Sequence, residues 1–399
     1  MAGAGMRALL GAAVWPLAVG PAWAQGPASS PPSPPAPYGP SGFADRARRA
    51  EGARERGALD EAIGLYRQAL RLRPSWVEGR WALGTILYEL DQYAEARAAF
   101  DRVVAAQPDN GAALAMRGLC DFQLRAYDRA LEDLQRGRTL GLGANTQLAS
   151  VVGYHVGILL LRSEQYERAC EALRELAAGG SESPELVEAL GLALLRLPWL
   201  PSAAPVDKRE MILLAGRAGL AVAAGRRSAA ARALFQELAR RFPEEASVHY
   251  ALGTYLVAEE PDAALEEYQR VLRLDPGHVP ALLQIAFEHI KRGRPQDAIA
   301  PAGRAVELAP GLFAARNALG RALLETGELD RAIRELETGA RLAPDSPEMY
   351  FALARAYQRA GRAGDAERAR ATFLTLDRAA RAARAGEQSI GGKEPPPPH

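Results

Sequence analysis

The chain has little of what catalysis needs. It carries two cysteines, Cys120 and Cys170, and five histidines, His155, His249, His278, His289 and His399. No histidine has a second one at i+4 and there is no Cys-x-x-Cys, so the spacings that hold zinc are missing. No Gly-x-x-x-x-Gly-Lys phosphate loop and no Gly-x-Ser-x-Gly elbow occurs. Charge of one sign is also lacking: 49 basic residues stand against 48 acidic ones, which leaves no field to gather nucleic acid or an anionic membrane. Only Lys208, Lys291 and Lys393 are lysines, and this arginine bias fits GC-rich codon use. The longest apolar run, Ala8 to Gly20, is broken by Pro16 and falls short of the roughly 20 residues that span a bilayer. These absences predict a protein that is not an enzyme, holds no cofactor or metal, and binds no nucleic acid.

What the chain has is repetition. Phe313 to Ser346 contains Ala315, Ala318, Leu319, Ala322 and Leu323 on one stripe of a 3.6-residue helix, a stop at Gly327, then Leu329, Ala332, Ile333, Leu336 and Ala340 on a second stripe. Pro344 closes the unit because it lacks an amide hydrogen and clashes with the preceding turn. The small residue of the second helix recurs at Ala62, Ala96, Ala130, Ala169, Ala231, Ala264, Ala298, Ala332 and Ala366, with spacings of 34, 34, 39, 62, 33, 34, 34 and 34 residues. Four residues after it comes a bulky side chain (Tyr66, Phe100, Leu173, Phe235, Tyr268, Leu336), and prolines close the copies at 74, 108, 243, 276, 310 and 344. A hairpin of this size buries too little to stand by itself, so copies must stack.

This pattern, from about Phe43 to Leu374, resembles the tetratricopeptide repeat (TPR) family. The resemblance implies an all-α, right-handed superhelical solenoid of about nine to ten helix-turn-helix repeats, with a concave face lined by the first helix of each pair and other proteins as partners. The residues it turns inward are Trp81, Tyr88, Phe122, Tyr154, Ile158, Leu161, Tyr250, Phe287, Ile290 and Phe351. They form an aromatic and apolar stripe, and contiguous apolar surface marks binding. The expected occupant is a peptide or helix, or alternatively a glycan stacked on the aromatics. The basic clamp by which some members hold chaperone tails is not matched, since its places carry Ala47, Glu51 and Ala82.

The ends read differently. Residues 1–24 have the parts of a secretory signal: Arg7, the apolar run, and the small-x-small Ala22-Trp23-Ala24 before Gln25. That predicts a periplasmic or secreted protein with no stable membrane insertion after cleavage. Residues 25–42 form a proline-rich linker. The expected array has an N-terminal block at 43–196, an irregular insertion at 197–206 with prolines at 198, 201 and 205, a C-terminal block with capping helix at 207–385, and a disordered tail at 386–399. The insertion is placed there because no ruler alanine follows the helix beginning at Ser183-Pro184. Two helices intervene in the stack between Cys120 and Cys170, so two buried free thiols are expected.

Overall fold

The computed structural model describes residues 42–225 and 228–391, with side chains to 382; the signal, most of the linker and residues 392–399 lie outside the described residues. Nineteen α-helices and no strand occur among them. The described residues fall into two compact units, one up to residue 225 and one from residue 228.

The first unit holds five hairpins. These are α1 (Phe43–Glu55) with α2 (Leu59–Leu72), α3 (Val77–Glu89) with α4 (Tyr93–Ala106), α5 (Gly111–Gln123) with α6 (Tyr127–Leu140), α7 (Thr146–Arg162) with α8 (Tyr166–Ala178), and α9 (Pro184–Leu194) with α10 (Arg209–Ala224). The second begins with α11 (Ala229–Arg241), followed by α12 (Ala246–Leu256) with α13 (Pro261–Leu274), α14 (Val279–Lys291) with α15 (Pro295–Leu308), α16 (Phe313–Thr326) with α17 (Leu329–Leu342), and α18 (Pro347–Arg359) with α19 (Ala363–Gly391). The last helix thus runs past the expected end at 385.

Small packs on large, as the sequence pattern requires. All nine ruler alanines are buried, and so are the six bulky residues four positions later. A Cβ added to Gly320 would stand 2.6 Å from Leu336 Cγ and 3.4 Å from the Ala332 carbonyl oxygen; one on Gly84 would stand 2.9 Å from the Phe100 ring. Each glycine is the gap into which its partner's side chain fits.

Two local devices repeat. Before each closing proline, Arg73, Gln107, Phe242, Asp275, Ala309 and Ala343 have φ between −127° and −139°, because the proline ring bars its predecessor from the α region. The freed proline carbonyls are claimed from the next helix, by Arg80 on Pro74, His249 on Pro243 and Arg316 on Pro310. Within hairpins, the turn between helices takes one left-handed residue: Gly57, Gly293, Gly327 and Gly361, but also Asp91, Arg125 and Glu164, at φ of 58°, 61° and 59°. A side chain with a Cβ is strained there by about 1–2 kcal/mol. Glu164→Gly should therefore stabilise the first unit by about 0.5–1 kcal/mol after glycine's greater unfolded-state freedom is subtracted, read as a higher urea midpoint at unchanged slope.

The break in the array differs from the expected one. The helix α9 does have a second helix, α10, reached across the insertion, and the compact units divide at 226/227 instead of 197–206. A ruler alanine is absent because this pair packs by another rule. A Cβ on Gly191 of α9 would collide with the Ile212 carbonyl oxygen, and one on Gly216 of α10 with the Val187 carbonyl oxygen. By register with Gly320 and Ala332, Ile212 holds the ruler place and Gly216 the place of the bulky residue, so the two backbones touch. The insertion itself contains two 3-10 turns, Pro201–Ala203 and Val206–Lys208, and Trp199 and Leu200 are half-buried. Arg196, at φ 55°, ties its start to α8 through Glu167 and lies 4.5 Å over the Tyr166 ring.

Candidate functional site

The site comes from the 39-residue spacing. The loop into α7 has five residues, 141–145, where the loop into α3 has four, and α7 has 17 residues where α3 and α5 have 13. The helix gains one N-terminal turn, started by the Asn145 side chain accepting from the Leu148 amide at 2.9 Å. That extra turn, residues 146–149, supplies Gln147 to the wall of a cavity of about 190 Å³, and the next turn supplies Ser150 and Val151. Tyr154 and His155 continue the wall on the same helix; Tyr88 enters from α3, Leu176 from α8, Ser181 and Ser183 from the following loop, and Leu186 from α9. No charged side chain lines it.

His155 is the chemically distinctive member. Its Nδ1 lies 2.7 Å from the Val151 carbonyl oxygen, which can only accept, so Nδ1 carries the proton and Nε2 a lone pair. Nε2 is buried without a hydrogen-bond partner. The rings of Phe122 and Tyr154 stand edge-on to the imidazole at 4.6 and 5.5 Å. Burial lowers the imidazole pKa to about 4, against a small opposing effect of the Val151 hydrogen bond, so at neutral pH the ring is uncharged. Since the folded value lies below the unfolded one, stability is complete above about pH 6.5 and is lost as pH falls toward 4. Acidification from pH 7.5 to 4.5 should cost the first unit on the order of 2–3 kcal/mol through this group. A His155→Met variant should show a pH profile flatter by that amount in chemical denaturation.

Of the ten expected groove residues, Tyr88 and Tyr154 meet in this cavity and Phe122 stands behind it. Trp81 packs edge-on against Phe100 at 5.5 Å and is half-buried. Ile158 and Leu161, at 3% and 0% exposure, are core residues and not an open surface, because α7 is flanked by α5 and α9 as well as by its own partner α8. In the second unit Tyr250 is likewise buried, against Tyr268 and Ile285. Phe287 and Ile290 are half-buried, with Arg321 5.9 Å from the Phe287 ring centre. Phe351 is half exposed beside Phe373 at 5.4 Å. His155, Gln147 and the three serines were not among the expected site residues. The signal for His155 lay in register: two positions before the small residue stand Ala82, Ala189, Ala251, Ala318 and Ala352, and Met116 in α5. Only α7 has a histidine at that place.

Both thiols are free. Cys120 is buried as expected, whereas Cys170 is partly exposed. Burial pushes them up to about 12 and about 11, so neither is a ready nucleophile.

Sequence profiles of the tetratricopeptide repeat match residues 53–120 and 289–354, and a second such profile matches 157–210 and 216–279. The chain belongs to the tetratricopeptide repeat family. The TPR array is similar over 69 residues, 41% identical, to a protein CTR9 homolog of Arabidopsis thaliana, covering 17% of this chain and 6% of that one. Over 142 residues it is 32% identical to cellulose synthase operon protein C of Xanthomonas axonopodis pv. citri, covering 34% of this chain and 9% of that one. The chain therefore spans less than a tenth of the length of these curated relatives. Among solved TPR structures, MamA from Desulfovibrio magneticus RS-1 aligns with 43% of this chain and 96% of its own at 20% identity and TM-score 0.39. Yeast Tom70 aligns with 84% of each chain at 13% identity and TM-score 0.37. No described helix is long and apolar enough to cross a membrane.

Proposed function

We propose that the protein is a non-enzymatic scaffold or adaptor of the cell envelope that holds a peptide or helix of another protein on the first helices of its repeats. The supporting observation is the cavity on α7, where two aromatic residues of the stripe, Tyr88 and Tyr154, converge on a neutral, mostly apolar recess. Such recesses with a few placed polar groups are where ligands seat. The envelope setting rests on the signal-like residues 1–24 and on the name of the Xanthomonas relative.

That same name favours a second reading, an accessory to polysaccharide export that stacks glycan on the aromatics. The two separate cleanly. A displayed peptide library and a glycan array, each probed with the full chain, should give selected peptides on the first and blanks on the second. Glycan signal without peptide enrichment would replace the scaffold with the export accessory.

A further inference from the structure

We propose that Arg321, on the first helix α16 of the second unit, is the anchor for one carboxylate side chain, an aspartate or glutamate within the bound protein segment. This rests on the scaffold reading and specifies what the scaffold recognises.

Among the described residues nine arginines are half-buried. Arg54, Arg97, Arg117, Arg196, Arg292 and Arg316 each hold a carboxylate. Arg46 donates to Gln68 and Arg80 to the Pro74 carbonyl. The ninth, Arg321, has no acceptor among the described residues. Its guanidinium carbon lies 5.9 Å from the centre of the Phe287 ring of α14, a contact that fixes its direction and leaves its N–H donors unmet.

The obvious internal partner is taken. Glu325 stands one turn on, at the i+4 place where ion pairs form along a helix, yet it accepts from Arg355 of α18 at 2.9 Å and lies 3.6 Å from Arg359. The carboxylates of α14 and α18 are engaged as well, Glu288 by Arg292 at 2.7 Å and Glu348 by the Ser346 hydroxyl at 2.9 Å. One turn back, the Asn317 amide oxygen is buried and accepts from nothing, Arg321 included. Around Glu325 there are thus three guanidiniums to one carboxylate, and the one left over is Arg321. A guanidinium in that state has given up water without gaining an acceptor. It can still be reached: Arg54 Nε and Arg292 Nη2 are unpaired and sealed from solvent, and no nitrogen of Arg321 is. A carboxylate brings two oxygens that match the planar fork, and the opposite charge. An apolar side chain leaves the donors unmet, a lysine or arginine is repelled, and a sugar hydroxyl accepts without supplying charge.

The test selects a displayed peptide library on the full chain and remakes the selected sequence as a synthetic peptide, N-acetylated and C-amidated so that no chain end supplies charge. Exchanging its acidic residue for the matching amide should weaken binding to the natural protein roughly fivefold or more, and by less as salt rises. On Arg321→Gln the same exchange should have almost no effect, because no ion pair is left to lose. Arg321→Glu should instead select peptides with lysine or arginine at that place. An amide peptide that binds the natural protein as tightly as its acid overturns the proposal while the scaffold reading stands, and that comparison needs no variant to fold. Equal losses on the natural protein and on Arg321→Gln overturn it in the same way. A library that yields no peptide while a glycan array gives signal would overturn both.

Discussion

Gly216→Leu should unfold the first unit under conditions where the natural protein is stable, although leucine is a residue that other repeats carry at the matching place. Leu173 and Leu336 fill that position in α8 and α17 and are fully buried. In α10 the space they fill does not exist, because a Cβ at 216 already runs into the Val187 carbonyl oxygen, and Gly191 meets Ile212 in the same way from the other side. Relief would require the α9–α10 backbones to move apart and so uncover Leu190, Ile212 and Ala215, which are buried. Overpacking usually costs about 1–3 kcal/mol, and a clash against backbone on a helix pair with no side chain to yield belongs at or above the top of that range. Among the described residues the tryptophans, Trp76, Trp81 and Trp199, all lie in the first unit, so their fluorescence during urea unfolding reads this unit. A midpoint within error of the natural protein would mean that the α9–α10 pair is not closely packed.

Arg117→Ala should cost about 3–5 kcal/mol in the same assay. Arg117, on α5, grips Asp133 of α6 with two hydrogen bonds, Nε to Oδ2 at 2.6 Å and Nη2 to Oδ1 at 2.8 Å, and reaches Asp101 of α4 at 2.9 Å. Asp133 is buried. The two-pronged hydrogen bond holds the guanidinium charged, above its already high ordinary range. Removing one partner of a buried pair leaves the other charge desolvated, which accounts for the size of the loss. Replacing both, Arg117→Leu with Asp133→Leu, should recover most of it, since well-packed apolar residues often match a buried pair. Equal loss in the single and double variants would show that packing, not the stranded carboxylate, sets the cost.

The sequence made the repeats legible because the hairpin is encoded locally. Alanine at 34-residue steps, a bulky residue four later and a proline at the close need no long-range knowledge, and all three kinds of residue sit where that pattern puts them. The α9–α10 pair was missed because its rule is mutual: Gly191 and Gly216 make sense only together, across an insertion that hides their register. Of the groove stripe, Tyr88 and Tyr154 line the α7 cavity, whereas Ile158, Leu161 and Tyr250 are core. Which face of a first helix stays open depends on the helices flanking it, and those belong to neighbouring repeats. The imidazole at 155 was passed over because it was weighed only for a metal-ligand companion and not against its equivalents in the other copies.

The extra turn of α7 also says how such an array changes over generations. Five added residues, one in a loop and four in a helix, leave the alanine ruler of the neighbouring hairpins intact, since each hairpin answers only to those beside it. A globular core would have to be rebuilt around such an insertion. Here one added helical turn puts Gln147 on the rim of a recess, and a similar addition in another first helix would alter one wall while the ruler alanines of the other hairpins keep their places.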